Sequence, residues 1–274
     1  MNTQALIAEL ENNSRYTLHA HTQFCDAHAS MQDFVERAIG DGFTHYGFTP
    51  HSPIPIASPC NMNKADVPVY LEEIERLKDL FGDSIKIYAG MEVDYLSTNW
   101  GAHSEYFRKM PLDYRIGSVH FIQSQNGEFV DIDGGHEQFM KKISVHFHND
   151  IDYVVKKFFE STHEMIELGG FEIIGHFDKI SDNGSFFKPS LEEEAVYNDL
   201  VEEVIDHIAS KDIIVEINTK AKEKNNRYFP SERWWKVLLE KNVPLIVNSD
   251  VHYVDLINAS RDYPLKWLRN YQRI

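Results

Sequence analysis

Seven short apolar runs, separated mostly by stretches of helical periodicity, set the frame for this chain, and almost every run ends in a histidine or a carboxylate. The runs cover residues 15–20, 44–49, 85–91, 114–119, 171–175, 213–217 and 244–247. Strands that alternate with helices argue for a parallel sheet. Continuous apolar strands such as Ile213-Ile214-Val215 suit a sheet covered on its outer side. For 274 residues the economical architecture is an α/β barrel, with an open doubly wound sheet as the alternative.

The strand ends carry the chemistry. They bear His19 and His21, His51, Glu92, His120, His176, and the pair Asp250 and His252. Residues two apart on a strand point the same way, so His19 and His21 aim together, and Asp250 and His252 repeat that geometry. Converging neutral imidazoles form half of a site for Zn, Fe and similar ions. Taken singly, each position has a plain reading. His120, between Val119 and Phe121, and His176, in Gly175-His176-Phe177, could be hydrogen-bonded core histidines. Glu92 follows Ala89-Gly90-Met91, a context that buries it, and a buried carboxylate needs a cationic partner. In a parallel barrel, however, all strand C-termini lie on one face, so His19 and His252 would meet in one cup. The remaining histidines, His45, His103, His136, His146, His148, His163 and His207, fall off the strand ends and are assigned to surface or helix positions.

Between the strands, helices are predicted over 31–40, with Ser30 as N-cap, over 66–81, stopped by Gly82, and over 100–109, 151–168, 191–210 and 232–241. Residues 50–59, 181–189 and 220–227 read as loops. The excursion 121–149 contains a turn at Asn126-Gly127 and a break at Gly134-Gly135. Residues 1–13 place Leu6, Ile7 and Leu10 on one helical face and lack the apolar run of a secretory leader. The tail, 263–274, reads as helical or frayed. No linker, low-complexity stretch or repeat divides the chain, so one domain over 1–274 is expected.

Charge narrows the function. The formal net charge is -16, which repels nucleic acid and anionic lipid. An anionic substrate would bind only where bound cations reverse the local field. No run of 18 apolar residues exists, so no membrane span is expected. Two cysteines, Cys25 and Cys60, are too few for a disulfide framework, and a reducing cytoplasmic setting follows.

Six motifs, in order, carry a resemblance: His19-Ala20-His21-Thr22, Phe48-Thr49-Pro50-His51-Ser52, Gly90-Met91-Glu92, Gly117-Ser118-Val119-His120-Phe121-Ile122, Gly175-His176-Phe177-Asp178 and Asn248-Ser249-Asp250-Val251-His252. Over nearly its whole length the chain resembles the polymerase-and-histidinol-phosphatase (PHP) superfamily of metal-dependent phosphoesterases. The Gly-Ser-Val-His-Phe-Ile string points to its histidinol-phosphate phosphatase branch.

The resemblance implies a distorted seven-stranded β/α barrel, TIM-like, with three divalent ions (Zn, Mn or Fe) at the strand C-termini. One ion would take His19, His21, Glu92 and Asp250. A second would take His120, His176 and Glu92 as a bridge. The third would take His51, His252 and a residue after His21, where relatives often read Phe-Cys-Pro-His. Here Phe24-Cys25-Asp26-Ala27-His28 changes the spacing, and Asp26 is favoured with His28 as rival. The implied reaction is hydrolysis of L-histidinol phosphate by a metal-bridging hydroxide attacking phosphorus, with Glu92, Asp250 and His252 as catalytic residues and Asp250 or His252 protonating the leaving alkoxide. No protein nucleophile is required, so Cys25 reads as a passive thiol. Arg227 leads the phosphate-binding candidates, with Lys179, Lys222 and Lys224 behind it. Phe24, Tyr95 or Tyr228 could meet the substrate imidazole. Competing expectations are a relative acting on nucleotides or oligonucleotide ends, and a metal-binding scaffold without catalysis.

Overall fold

Every pairing among the strands that carry the candidate ligands is parallel. The computed structural model describes residues 2–10, 13 and 15–271. In chain order its elements are α1 (Thr3–Leu10), β1 (Tyr16–Thr17), α2 (Met31–Gly40), β2 (His45–Phe48), α3 (Val67–Phe81), β3 (Lys86–Ala89), β4 (Glu92–Asp94), α4 (Glu105–Arg108), β5 (Ile116–Ser118), β6 (Phe121–Gln123) and β7 (Phe129–Asp131). There follow α5 (His136–Phe147), α6 (Ile151–Leu168), β8 (Ile173–Ile174), α7 (Ile180–Phe187), α8 (Ala195–Ala209), β9 (Ile214–Asn218), α9 (Lys222–Asn225), α10 (Glu232–Glu240), β10 (Leu245–Asn248) and α11 (Asp262–Tyr271).

A three-stranded sheet runs β1-β2-β3 and a five-stranded sheet runs β10-β9-β8-β5-β4. Two isolated parallel bridges connect them, His51 to Glu92 and Ala20 to Val251. The helices cover the strands because their apolar positions recur on one face. Along α6, for example, Val154, Val155, Phe158, Phe159, Thr162, Met165 and Ile166 are buried. Ser30 starts α2 with a reciprocal cap, its side chain accepting from the Asp33 amide while the Asp33 carboxylate accepts from the Ser30 amide. Tyr114 packs against Gly47 and Gly90, where any Cβ would collide with its ring or hydroxyl, and that hydroxyl donates to the Leu18 carbonyl at 2.7 Å. Gly90 also lies in the gap between β3 and β4, so the expected run 85–91 ends early and Glu92 opens a new pairing with Ile116.

Three local expectations are corrected. Residues 181–189 are mostly helix α7 rather than loop, although Ser-Asp-Asn-Gly-Ser is a poor helix former. Tertiary contacts override propensity there: Ile180, Ser181, Asn183 and Gly184 are buried, and Asn183 donates to the Ile132 and Gly134 carbonyls. The helix expected over 100–109 shrinks to α4, because Trp100 instead closes an antiparallel bridge with Ser97. The supposed loop 220–227 contains the single turn α9. The excursion 121–149 resolves into the antiparallel hairpin β6–β7 around Asn126-Gly127, followed by α5 after Gly134-Gly135. Of the predicted N-terminal helix, 11–12 lie outside the described residues, as do 272–274 of the tail. Among the described residues, no helix is long and apolar enough to cross a membrane.

Candidate metal centre

The site is organised around one carboxylate. Glu92 is buried at the start of β4, and five imidazoles reach it. Its Oε2 lies 3.3 Å from His19 Nε2, 3.6 Å from His21 Nε2 and 3.1 Å from His51 Nδ1. Its Oε1 lies 3.0 Å from His176 Nε2 and 3.4 Å from His120 Nε2. Asp250 enters from the other side, with Oδ1 3.0 Å from His21 Nε2 and 3.7 Å from His19 Nε2. The Asp250 backbone has φ 50°, a left-handed conformation that Asp tolerates better than most residues.

Asp26 approaches His21 Nδ1 at 3.1 Å, His252 Nε2 at 3.4 Å and His51 Nε2 at 3.8 Å. Its rival His28 is stacked on Tyr253, with ring centroids 4.3 Å apart. The geometry therefore brings Asp26 to the cluster and turns His28 away.

Three overlapping groups have donor atoms within 4.8 Å of one another: His19, His21 and Asp250; His51, Glu92 and His120; and His21, Asp26, His51 and His252. This grouping differs from the expected one, since His21 also faces Asp26 and His51 joins Glu92 and His120. His19 Nε2, His21 Nε2, His51 Nδ1, Glu92 Oε2 and Asp26 Oδ1 are buried without a hydrogen-bond partner. Buried polar atoms are rarely left so. Five of them, aimed at one another and able to offer lone pairs once metal displaces any proton, fit divalent ions of the imidazole- and carboxylate-binding kind.

The electrostatics agree with strong coupling. Burial alone would depress the His19 imidazole, but Glu216, Asp250 and Glu92 outweigh it and hold the group up at about 10. Likewise, burial of His120 is overcome by Glu92, Asp94 and Asp133, which raise it to about 9. His252 is pushed down to about 3 by burial, then by His21 and Lys220. Burial would raise the Glu92 and Asp250 carboxyls, yet the surrounding cations hold both well below the usual range.

Above the cluster opens a cavity of about 540 Å³, walled by His51, His120, His176, Asp250 and His252 among others. Lys179 reaches this wall, with Nζ 2.5 Å from Asp133. Arg227 and Lys222 do not reach it. Arg227 is tied to Glu192 at 2.5 Å and Asp182 at 3.4 Å, while Lys222 bonds Asn226 at 2.6 Å and covers the Tyr228 ring. Acidic partners hold Arg227 behind the wall residue Asp182, and Asn226 and the Tyr228 ring hold Lys222. Lys224 is on the wall, and so is Lys220, whose Nζ sits 3.2 Å from Asp250 Oδ1 and 3.1 Å from His252 Nε2. Of the aromatic candidates, Phe24 packs on Tyr70, Tyr95 bonds Glu164 and Tyr228 packs on Trp235, whereas Phe121 and Phe229 line the cavity.

Sequence reasoning missed several members. His136, set aside as a surface or helix residue, lines the cavity from the start of α5, and Asp133 lies just before it. Both come from the excursion whose fold the pattern did not specify. Asp94 accepts from His120 Nδ1 at 2.7 Å, and Glu216 from His19 Nδ1 at 2.8 Å. A lone carboxylate inside the apolar run Ile214-Val215-Glu216-Ile217 was the available signal.

The PHP domain model matches residues 17–220. The chain is 28% identical over 252 residues to a Schizosaccharomyces pombe protein named "Probable histidinol-phosphatase", covering 85% of this chain and 79% of the relative. The crystal structure of HisK from Listeria monocytogenes matches with TM-score 0.80 at 22% identity, over 90% of this chain and 99% of that one. The histidinol phosphate phosphatase of Lactococcus lactis subsp. lactis, solved with zinc, L-histidinol and phosphate, matches with TM-score 0.63 at 18% identity, over 93% of each chain. With its strand-end motifs gathered at one carboxylate and 17–220 matched by the family model, the chain belongs to the PHP domain family.

Proposed function

We propose that this protein is a metal-dependent phosphomonoesterase that hydrolyses L-histidinol phosphate to L-histidinol and phosphate, a step of histidine biosynthesis. The observation that carries this reading is Glu92, a single buried carboxylate within 3.0–3.6 Å of five imidazoles, three of which, His51, His120 and His176, line an open cavity. Structural metal sites are closed, whereas catalytic ones keep open positions. The relative bearing the histidinol-phosphatase name and the zinc, histidinol and phosphate held by the Lactococcus lactis protein support the choice of substrate.

In this reading the two parallel sheets form one distorted seven-stranded barrel within a single domain, with β3 and β4 as two parts of one staggered strand. Three divalent ions would fit the cluster. His19, His21, Glu92 and Asp250 would hold the first, Glu92, His120 and His176 the second, and Asp26, His51 and His252 the third. Such ions supply Lewis acidity, lowering the pKa of water towards neutrality and neutralising charge on phosphoryl oxygens.

The chain's own side chains do the rest. Lys220 and Lys179, on the cavity wall, bind the phosphoryl group in place of Arg227, which Glu192 and Asp182 engage. Asp250 and His252 stand on the same wall, placed to return a proton to the departing alkoxide oxygen. Two free cysteines suit a reducing compartment, and we place the enzyme in the cytoplasm.

The test is turnover by the purified protein against L-histidinol phosphate, nucleoside monophosphates and p-nitrophenyl phosphate, with metal analysis of the same sample. The expected result is a kcat/KM highest for histidinol phosphate in protein that carries zinc, manganese or iron. Equal turnover of all three, or full turnover in protein stripped of metal, overturns the reading.

A further inference from the structure

We propose that Glu216 is the positioning residue of the metal centre: its carboxylate locks the His19 ring with Nε2 turned to the ion and ties the strand ends bearing His176 and Asp250 to the same point. This inference rests on the metal site proposed above. Glu216 is off the cavity wall, and both of its oxygens are taken up by protein donors, so it stands behind the ligand cluster rather than within it. It is fully buried in the middle of β9.

A carboxylate in such a place is costly unless every lone pair is used. Glu216 uses them on the site. Oε2 accepts from His19 Nδ1 at 2.8 Å and from Asn248 Nδ2 at 3.0 Å. Oε1 accepts from the His176 amide at 3.2 Å and from Asn218 Nδ2 at 3.0 Å. That same Asn218 Nδ2 also reaches Asp250 Oδ2 at 3.0 Å. One side chain thus connects His19 and His176, each two residues past the ends of β1 and β8, with Asn218 of β9 and Asn248 of β10. Gly175 beside it makes room for Ser118, since a Cβ there would collide with Ser118 Oγ.

The hydrogen bond at Nδ1 has a direct consequence. An ionised carboxylate only accepts, so Nδ1 carries the proton and the Nε2 lone pair is left for a metal. His19 Nε2 is among the buried atoms without a hydrogen-bond partner and faces Glu92 and Asp250. A carboxylate behind a ligating imidazole fixes ring and tautomer and raises basicity, and its loss typically weakens metal binding about 10- to 100-fold.

The experiment compares wild-type protein with Glu216→Gln, which keeps the shape and removes the charge. Zinc affinity is measured by competition with a chelating dye, and the melting temperature is taken without metal. The expected result is zinc binding weakened by roughly 10- to 100-fold at an unchanged or raised metal-free melting temperature, with kcat for histidinol phosphate reduced more than KM is changed. Unaltered zinc affinity in the folded variant overturns the proposal, including where the melting temperature falls, because that pattern marks a merely structural role. A second measurement needs no variant. In zinc-loaded wild-type protein, nitrogen-15 histidine spectra are expected to place the His19 ring proton on Nδ1, and a proton on Nε2 overturns the assignment. Wild-type protein that binds no zinc defeats both this inference and the proposed function. Zinc bound equally by wild type and Glu216→Gln defeats this inference alone.

Discussion

Two neighbouring layers of the same strands do opposite work. In the lower layer, Ile116, Ile173 and Ile214 stand in register across β5, β8 and β9, all three fully buried. They pack into a cluster that includes Leu18, Tyr88 and Tyr114. Two residues further along, the corresponding positions are Ser118, Gly175 and Glu216, and beyond them come His120 and Asn218. The lower layer gains free energy by removing apolar area from water. The upper layer is equally buried but spends stability on charged and polar groups that need partners. This fold thus separates holding the chain together from gathering the candidate metal ligands by one step of the β pleat.

The largest break in that comparison is expected at the upper layer's rim. His120→Ala and Asp250→Ala should lower turnover of histidinol phosphate by about 10³-fold or more, since several kcal/mol of metal-derived stabilisation is lost. Metal content should fall in parallel while the metal-free melting temperature changes little. Kinetics and metal analysis of the same preparation check this, and full activity with undiminished metal would remove these residues from the centre. Ile214→Ala, one layer below Glu216, should do the reverse. A cavity there costs about 2–5 kcal/mol of folding stability, read by denaturant unfolding, with zinc affinity of the folded protein preserved.

A third test concerns protons. His19 and His120 are held up at about 10 and about 9, so near neutrality both carry a proton in the metal-free protein. Metal must displace those protons, so binding is expected to tighten as pH rises from 6 to 8, by about tenfold per pH unit for each proton released. Calorimetry in buffers of different ionisation enthalpy counts the protons, and pH-independent affinity would contradict the coupling. The smallest effects belong to the cations. Lys220→Ala should raise KM for histidinol phosphate about tenfold, in line with the roughly 1.4 kcal/mol of a charge-assisted contact. Arg227→Ala should change it by less than about twofold, since its guanidinium is engaged by Glu192 and Asp182. A larger effect at Arg227 would return it to the phosphate site.

The legible parts of this molecule are those with a local physical signature. Strand–helix alternation marked the parallel pairings, and Ser30 and Gly82 marked helix ends, because caps and periodicity are written in neighbouring residues. The strand-end ligands were visible since histidine after an apolar run has no place in an ordinary core. Helix α7 was invisible because its residues favour a turn and are held helical by contacts with residues 132 and 134. His136 sits on a helix, as expected, but its place on the cavity wall was hidden for a related reason: the hairpin and α5 between 121 and 147 carry it back over the cavity, and no local pattern announces that return.

By itself, then, the sequence determined the periodic elements, the acidic balance and the inventory of imidazoles and carboxylates at strand ends, because these depend on composition and on spacings of two to four residues. Only the tertiary structure decided which carboxylate lies among five histidines, that Asp26 rather than His28 faces them, that Lys220 rather than Arg227 reaches the cavity, and that Glu216 stands behind His19. Those choices are distances between side chains up to 231 positions apart, from Glu92 at the centre to Asp26 against His252 and His19 against Asp250. They are set by strand register and by the competition among neighbouring charges for each cation, neither of which any short stretch of sequence contains.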